Sequence, residues 1–367
     1  MIEASAKTPE SGFLPTAVQE SGGEARLDGG PVEFTEQDFV LLDALQAAPR
    51  APWSRIGRAL GVDATTAARR WERLRAGGLA WVTAYDAAKG SVVAFVEVSC
   101  RPNALEAVSA AACALPWVFS VDETAGNHDL LLSVAAADAY SLGRAVRRSI
   151  GGIKGVRRAR IRFGIRLYSE GGDWRIRALD AAGRDELGAP LPPRPTSYAT
   201  RGRPGMSAED ELLITALGED GRLGWASLGA RTGLGEYTAR RRVQRMLREG
   251  AVTLRCDFAQ PLAGLPTGVF YRMTVPHAQQ DETACALARL PQVRLCAAVS
   301  GPYDLLVQVL LPGMEGIHAF ETLLGERFPA LETRDRTVLL HTPKRMGWLL
   351  DERGRAVGRR PLAPPAP

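Results

Sequence analysis

The stretch that decides the fold is TTAARRWERLRAGG, residues 65–78, because a near-copy of it, YTARRRVQRMLREG, follows at residues 237–250. The copies lie 172 positions apart, and this offset holds without a gap when residues 34–82 are placed over residues 206–254. Self-similarity at a fixed spacing indicates a repeated structural unit. The sequence therefore predicts two copies of one arrangement of domains.

The repeated segment predicts three short helices in each copy. Apolar residues recur at helical spacing after a Thr35 or Ser207 cap, and Gly61 or Gly233 stands where the second helix should end. Two helices joined by a short glycine-containing turn are the signature of a helix-turn-helix, whose second member can lie in a DNA major groove. Extended segments after each third helix favour a wing.

The third helix of each copy has an apolar face and a basic face. We expect the apolar residues to pack on the first two helices: Ala67, Trp71, Leu74, Ala239, Val243 and Met246. The opposite face is predicted to contact DNA: Thr65, Thr66, Arg69, Arg70, Arg73, Tyr237, Thr238, Arg241, Arg242 and Arg245. Arginine forks suit phosphates and guanine edges, and threonine suits phosphates and thymine methyls. The alternative is a solvated charged face, which repetition at the same position disfavours.

The segment after each helix-turn-helix alternates strand and helix patterns. In the first copy strands are predicted at 92–99, 118–125, 130–136 and 158–167, and helices at 102–115 and 138–151. The second copy repeats this order at an offset of 175. The order βαββαβ is typical of a ferredoxin-like fold, with both helices on one face of an antiparallel sheet. The predicted fold class is α+β, with two (winged) helix-turn-helix domains alternating with two ferredoxin-like domains.

Composition shifts predict the domain boundaries. They are a disordered leader (1–32), helix-turn-helix domains (33–86 and 206–258), ferredoxin-like domains (91–170 and 266–345), a linker (171–205) and a disordered tail (346–367).

Two features of the ferredoxin-like domains lack a unique interpretation. The hairpins between the middle strands read Gly126-Asn127-His128-Asp129 and Gly301-Pro302-Tyr303-Asp304, and glycine and aspartate suit tight turns for backbone reasons alone. Residues 144–166 carry nine basic and no acidic residues, a stripe that suits DNA, an acidic partner or plain water.

Composition argues against several functional classes. The five cysteines include no CxxC pair and the four histidines include no i, i+4 pair, so neither a disulfide framework nor a metal site is expected. No apolar run is long enough to span a membrane, and no signal peptide is recognisable, so a cytoplasmic location is predicted. A net charge of +5 weakly favours a polyanionic partner. No catalytic constellation, P-loop or cofactor motif emerges, so we expect neither an enzyme nor a cofactor.

The order of modules, the pattern R-x2-W-x2-I-x3-L-G-V from Arg50 to Val62, and the GxxD hairpins resemble the Lrp/AsnC (feast/famine) family of bacterial transcription regulators. The resemblance covers about residues 34–168 and 207–345. It implies a DNA-binding domain joined to a ferredoxin-like (RAM-type) domain that dimerises through its sheet and binds a small effector such as an amino acid. Carried over by position, the effector-site candidates are Gly126, Asn127, His128, Asp129, Gly301, Pro302, Tyr303 and Asp304.

The chain departs from the family in ways that bear on function. Asp63 and Gly235 stand where a serine commonly caps the recognition helix, and most members carry one copy of each module. A tandem chain implies an intrachain pseudo-dimer or a homo-oligomer through the sheet domains. Thr65 and Tyr237 occupy equivalent positions of the two recognition helices but differ in type, so we predict an asymmetric operator.

Two rival functions stay open from the sequence. Siroheme decarboxylases resemble the same family, and His128 with the arginine stripe is compatible with tetrapyrrole chemistry. An effector-sensing interaction protein that has lost operator binding is the other alternative.

Overall fold

The computed structural model describes residues 34–86, 92–188 and 206–365. The helices are α1 (Glu36–Ala47), α2 (Trp53–Leu60), α3 (Ala64–Ala76), α4 (Leu105–Ala114), α5 (Ala139–Ala145), α6 (Ala181–Leu187), α7 (Ala208–Glu219), α8 (Trp225–Thr232), α9 (Glu236–Arg248), α10 (Gln280–Leu287) and α11 (Glu315–Arg327). The strands are β1 (Ala80–Asp86), β2 (Val92–Cys100), β3 (Val118–Ala125), β4 (Leu130–Ala136), β5 (Val156–Ser169), β6 (Val252–Phe258), β7 (Thr267–Thr274), β8 (Val293–Val299), β9 (Leu305–Leu311), β10 (Glu332–Arg345), β11 (Trp348–Leu350) and β12 (Ala356–Arg359).

Capping residues begin the first helix of each helix-turn-helix domain. Thr35 and Ser207 each form a capping box, in which the hydroxyl accepts the N–H three residues on and an aspartate there accepts the cap N–H. Left-handed glycines, Gly61 (φ 66°) and Gly233 (φ 69°), end α2 and α8. The three-helix pattern predicted for each copy is confirmed.

The extended segments after the recognition helices do not form independent wings. Instead, β1 and β6 pair antiparallel along their whole lengths, from Ala80 opposite Phe258 to Asp86 opposite Val252. This correction arises because each strand leaves an edge of unpaired N–H and C=O groups, which the other copy's strand satisfies. The two helix-turn-helix domains are therefore joined through one small sheet.

Both βαββαβ modules have the predicted order, and their strands form one closed ring. The first module has the order β3-β4-β2-β5 and the second β8-β9-β7-β10. The last strand of each module crosses to the second strand of the other, because β5 pairs with β8 and β10 pairs with β3. A ring of eight strands results, and β11 and β12 extend from β10.

The ring buries apolar residues on both of its surfaces. Helices α4 and α5 cover the outside of the first module, and α10 and α11 cover the second. Inside the ring a third apolar cluster joins the two modules, and its buried members are Phe95, Leu131, Phe270, Ala297, Val299, Tyr303 and Leu306. Burial of both surfaces explains why β2, β4 and β9 are nearly continuous apolar runs.

The predicted linker, residues 171–205, is wrong over its first half. Trp174, Ile176 and Leu179 are buried in the core of the first helix-turn-helix domain, and Leu187 of α6 joins them. Arg175 is buried with them and its Nε donates to Asp43 Oδ1 at 2.6 Å. The apolar residues between charged ones bury surface that a linker would leave exposed. Residues 189–205 lie outside the described residues.

The predicted disordered tail, residues 346–367, is also wrong where the structure describes it. Strands β11 and β12 form a hairpin attached to β10. Ala356 N–H donates to Gly78 O at 2.8 Å, and the rings of Trp348 and Trp81 lie 5.9 Å apart. These contacts tie the chain end to the first helix-turn-helix domain. The predicted leader, residues 1–32, and the last two residues lie outside the described residues.

Candidate DNA-binding surface and effector site

The recognition helices α3 and α9 pack as their sequence pattern predicts. Their apolar faces are buried through Ala67, Trp71, Leu74, Ala239, Val243 and Met246. Asp63 Oδ1 accepts the Thr66 N–H at 2.8 Å and so caps α3, whereas Gly235 gives α9 no side-chain cap. The opposite faces of both helices point away from the domain cores.

The predicted DNA-contact residues fall into two groups. One group is exposed or half-buried and makes no side-chain hydrogen bond or ion pair within residues 34–86, 92–188 and 206–365: Thr65, Arg69, Arg70, Tyr237, Thr238 and Arg241. The second group is bonded to residues of its own domain: Thr66, Arg73, Arg242 and Arg245. Among the described residues, the first group alone is presented without a side-chain partner.

The second group is held differently in the two copies. In the first copy Arg73 Nη2 donates to Asp38 Oδ2 at 2.5 Å. In the second copy both Arg242 and Arg245 donate to Asp210, at 3.1 and 2.8 Å. These aspartates belong to the capping boxes of α1 and α7, so the arginines fasten each recognition helix to the first helix of its domain. The second copy thus commits one more arginine to its own fold.

A reciprocal clasp joins the two helix-turn-helix domains. The Arg50 guanidinium lies 3.9 Å above the Trp225 ring, and the Arg222 guanidinium lies 3.8 Å above the Trp53 ring. Arg50 also donates to two backbone carbonyls of the second domain at 2.6 and 2.9 Å. Arg222 donates to two carbonyls of the first domain at 2.5 and 3.0 Å. The equivalent residues therefore make equivalent contacts, and with the β1–β6 pairing they fix the recognition helices relative to each other.

A buried polar network occupies the hairpin end of the ring. Glu97 accepts from Arg272 Nε on Oε1 and from Arg162 Nη2 on Oε2, each at 3.0 Å. The Tyr303 hydroxyl donates to Glu97 Oε1 at 3.0 Å, and Arg272 Nη2 lies 3.0 Å from His128 Nε2. The structure thus brings the two predicted hairpins together through their His128 and Tyr303 side chains.

The network fixes the protonation of its members. Burial, with the nearby Arg272 charge, lowers the pKa of His128 to about 4. The ring is therefore neutral at physiological pH, and its Nε2 accepts from the arginine. Burial alone would raise the pKa of Glu97, but the Arg272 and Arg162 charges bring it below its ordinary value. Burial and the Glu97 charge raise the pKa of Tyr303 to about 12.

A cavity of about 350 Å³ opens onto this network. Its lining includes Asn127, His128, Pro302 and Tyr303 of the hairpins and the arginines of β5 that form part of the basic stripe. Amino and carboxylate groups of a small ligand would find acceptors and donors there.

Four of the predicted hairpin residues have structural roles in the hairpin turns. Asp129 Oδ2 accepts the Cys100 N–H at 2.6 Å, and Asp304 Oδ2 accepts the Val275 N–H at 3.1 Å. Gly301 has a φ of 123°, where a side chain would be strained. A Cβ at Gly126 would lie 3.1 Å from the Thr337 side chain. These four residues shape the hairpins and are not brought onto the cavity.

The sequence prediction missed the centre of the network. Glu97 and Arg272 stand at equivalent positions of the two copies, because they are 175 residues apart, as are Arg160 and Asp335. The signal in the sequence was a charged residue inside each otherwise apolar strand, VVAFVEVS and GVFYRMTV. Opposite charges at equivalent positions allow the copies to pair with each other across the ring.

Family comparisons agree with this architecture. The AsnC-type helix-turn-helix domain matches residues 34–75 and 206–247, and the Lrp/AsnC ligand binding domain matches residues 93–173 and 268–349. The chain belongs to the Lrp/AsnC family. This Lrp/AsnC chain carries both domains twice, and the family resemblance predicted from its motifs is confirmed.

Individual relatives of this Lrp/AsnC protein match about one copy. An uncharacterized HTH-type transcriptional regulator of Pyrococcus abyssi is 25% identical over 136 residues, 37% of this chain and 86% of its own length. The leucine-responsive regulatory protein of Escherichia coli K12 is 29% identical over 147 residues, 37% of this chain and 88% of its own. The relatives include archaeal proteins, so a bacterial source stays a prediction.

Among solved structures, a crystal structure of the siroheme decarboxylase NirDL covers 85% of this Lrp/AsnC chain and 93% of its own, with a TM-score of 0.55. At 14% sequence identity the likeness concerns the fold alone. Within the described residues, no helix has the length and apolarity needed to cross a membrane, and no cluster of three or more potential metal ligands occurs.

Proposed function

We propose that this Lrp/AsnC protein is a sequence-specific transcription regulator, and that a small effector bound at the hairpin cavity changes its affinity for DNA. We place it in the cytoplasm, and an amino acid is the effector class that the family implies. The observation that supports DNA binding most directly is the clasp, because it fixes two unequal recognition helices relative to each other. Reading two half-sites requires a fixed separation between such helices.

Residues Arg69 and Arg241 are the best test of the DNA-binding face. They occupy equivalent positions on α3 and α9, are exposed, and make no ion pair within the described parts of the chain. Replacing both by alanine should weaken binding to genomic fragments in a gel shift. The slope of log K against log salt should fall by about 0.9 for each lost phosphate contact.

Arg75 provides the matched control for that experiment. It lies on α3 and is exposed, but it pairs with Glu72 at 2.7 Å. An Arg75→Ala variant should keep the salt slope of the parent. If the Arg69→Ala/Arg241→Ala variant binds DNA as the parent does, the proposed face is wrong. If the parent binds no genomic fragment, the interaction-protein alternative is favoured.

The effector proposal rests on the hairpin cavity. Asn127 and His128 come from one copy and Pro302 and Tyr303 from the other, so a ligand there would contact both. Isothermal titration with a panel of amino acids, repeated on Asn127→Ala, would test it. We expect one ligand per chain and weaker binding by the variant. Binding unaffected by Asn127→Ala would remove this cavity from the proposal.

The alternative function is tetrapyrrole chemistry, which the NirDL fold and His128 keep open. In this chain His128 Nε2 lies against the Arg272 guanidinium at 3.0 Å, so iron ligation would have to break that contact. A visible spectrum after mixing with an iron tetrapyrrole distinguishes the functions. A ligated-haem band that His128→Gln abolishes would favour the enzyme, and a spectrum of unbound ligand favours the regulator.

A further inference from the structure

A second, larger cavity lies at the opposite end of the closed ring. It has a volume of about 1810 Å³ and is bounded by the inner surface of the ring, by β1 and β6, and by residues 170–177. Two residues of β2 that are two positions apart line different cavities. Phe95 lines the larger cavity, and Glu97 lines the hairpin cavity. The apolar cluster inside the ring lies between them. The larger cavity exceeds the roughly 300–1,000 Å³ of common ligand sites.

Four buried arginines line this cavity. Arg175 pairs with Asp43, and the other three form a cluster. Arg255, Arg294 and Arg345 are 6%, 3% and 9% exposed, and they come from β6, β8 and β10. Asp257 pairs with Arg255 Nε at 2.6 Å and with Arg294 Nη2 at 2.7 Å. Burying a guanidinium is costly unless a carboxylate or several acceptors pair with it. One aspartate thus satisfies two of the three arginines.

Arg345 has the least satisfied guanidinium of the three. Its hydrogen bond within the described residues is a long one, from Nη1 to Phe258 O at 3.5 Å. Two carboxylates act on its charge, Asp257 and Asp122, and Asp122 accepts from the Thr342 hydroxyl at 2.7 Å. Burial raises the pKa of Asp122 to about 6. Within the described residues Arg345 therefore lies at the cavity wall without a carboxylate in ion-pair contact.

The remainder of the wall is suited to an apolar body. Phe95, Trp117, Phe119, Trp174 and Phe270 line the cavity. Trp174 also lies under the Arg294 guanidinium, which is 5.8 Å from the ring centre. Aromatic side chains next to buried guanidinium groups form a site for a molecule with one anionic end and one flat or hydrocarbon part.

We propose that the cavity facing the helix-turn-helix domains is a second ligand site, which takes an organic anion with a carboxylate or phosphate group on an apolar body. Arg345 and Arg294 bind the anionic group, and the aromatic wall covers the body. An anion at this position supplies the ion-pair partner that Arg345 lacks among the described residues. Because Arg255 and Asp257 lie on β6 directly after the α9 domain, the ligand also contacts the connection between the ring and the second recognition helix.

Isothermal titration in the absence of DNA tests this site with defined probes. The probes are naphthalene-2,6-dicarboxylate, citrate and inorganic phosphate, so that the apolar body and the anionic group are varied separately. We expect the naphthalene dicarboxylate to bind once per chain and at least tenfold more tightly than citrate or phosphate. Equal affinities, or no binding of the naphthalene probe, would overturn the proposal.

Two variants and a control locate the binding. Arg345→Met should lower the affinity at least tenfold, and Ala135→Phe should do the same by filling the cavity from β4 without changing a charge. Arg334→Met, at the hairpin cavity, should bind as the parent does. If Arg345→Met does not fold, Ala135→Phe alone decides. Equal losses in Arg334→Met and Ala135→Phe would assign the probe to the hairpin cavity and refute the second site.

Discussion

Equivalent residues of the internal repeat make the same contacts at one end of the molecule and different contacts at the other. At the DNA-binding end, Arg50 and Arg222 make the same contacts across the pseudo-two-fold axis. At the hairpin end, the equivalent residues Glu97 and Arg272 carry opposite charges and bind each other at 3.0 Å. A homodimer of one copy could form the first arrangement but not the second, because identical residues would oppose like charges. Duplication in one chain permits the hairpin end to become asymmetric while the DNA end keeps its geometry.

Breaking the asymmetric end should have the largest effect. Arg272→Met leaves Glu97 with Arg162 as its charged partner and leaves Asp335 without its contact at 3.3 Å. Removing one member of a buried charge network costs about 3–5 kcal/mol. Urea denaturation should show a loss of this size in the free energy of unfolding.

An exposed ion pair and a charge exchange sharpen that test. Arg336→Met removes the exposed pair with Glu321 and should cost at most about 1 kcal/mol. Exchanging the central pair, as Glu97→Arg with Arg272→Glu, should not restore the parent stability. The new arginine would face Arg162 and the new glutamate would face Asp335. Full restoration would show that the surroundings of the pair are symmetric after all.

Breaking the symmetric end should cost less, and equally from either side. Arg50→Ala and Arg222→Ala each remove a cation–π contact and two hydrogen bonds to carbonyls. Burial lowers the pKa of both arginines to about 10, so both stay charged at neutral pH. We expect each variant to lose about 2 kcal/mol of unfolding free energy.

The clasp variants should also bind DNA differently. Because the helices are less firmly fixed in these variants, the variants should discriminate less than the parent protein between the original operator and operators with altered half-site spacing. A gel shift measures this discrimination. Arg231→Ala, which removes an ion pair with Glu219 within the second domain, is the control for both measurements. A difference above about 1 kcal/mol between Arg50→Ala and Arg222→Ala would contradict equivalence of the two halves of the clasp, beyond ordinary measurement scatter.

The recognition helices should give an intermediate effect on DNA. Thr65 and Tyr237 occupy equivalent positions, and Tyr237 is 76% exposed. Arg240 stands where the first copy has Ala68, so we expect the second helix to rely more on phosphate contacts. Exchanging the two half-sites of an operator should lower the affinity about tenfold, which corresponds to about 1.4 kcal/mol. Footprinting that shows no preference for half-site order would refute an asymmetric operator.

Local patterns in the sequence predict the modules well because each helix and strand buries its own apolar face. The buried faces of α3 and α9 follow from spacing alone. The segments that follow the two ferredoxin-like modules, residues 171–188 and 346–365, show the limit of this approach. Proline and glycine after residue 188 favour a linker, but Trp174 and Ile176 before it belong to the core. Likewise the turn at 351–354 between two short extended runs is a hairpin signal that tail composition obscures.

Contacts between the two copies could not be predicted from the spacing of residues within one copy. The ion pair of Glu97 with Arg272 and the stacking of Arg50 on Trp225 join residues about 175 apart, and only closure of the ring and pairing of β1 with β6 bring them together. The aligned repeat does pair Glu97 with Arg272, Arg50 with Arg222 and Trp53 with Trp225, which identifies candidates without showing which ones meet.

The smallest predicted effect concerns pH at the asymmetric end. Burial lowers the pKa of His128 from 6.5 to about 4 in the folded protein, so the unfolded chain binds a proton first as the pH falls. The contribution of this residue is constant above about pH 6.5 and decreases between about pH 6.5 and 4. At pH 5.5 the loss should be about 1 kcal/mol.

The variant His128→Gln isolates this contribution, because glutamine does not titrate while other groups still do. Burial raises the pKa of Asp122 to about 6, and this shift has the opposite sign, since it favours the folded state as the pH falls. The Asp122 contribution is the same in both proteins. From pH 7.5 to pH 5.5 the parent should therefore lose about 1 kcal/mol of unfolding free energy relative to His128→Gln. Tyr303→Phe, at the equivalent position of the other copy, should show the parent's pH dependence, because the pKa of the tyrosine, about 12, lies far above this range.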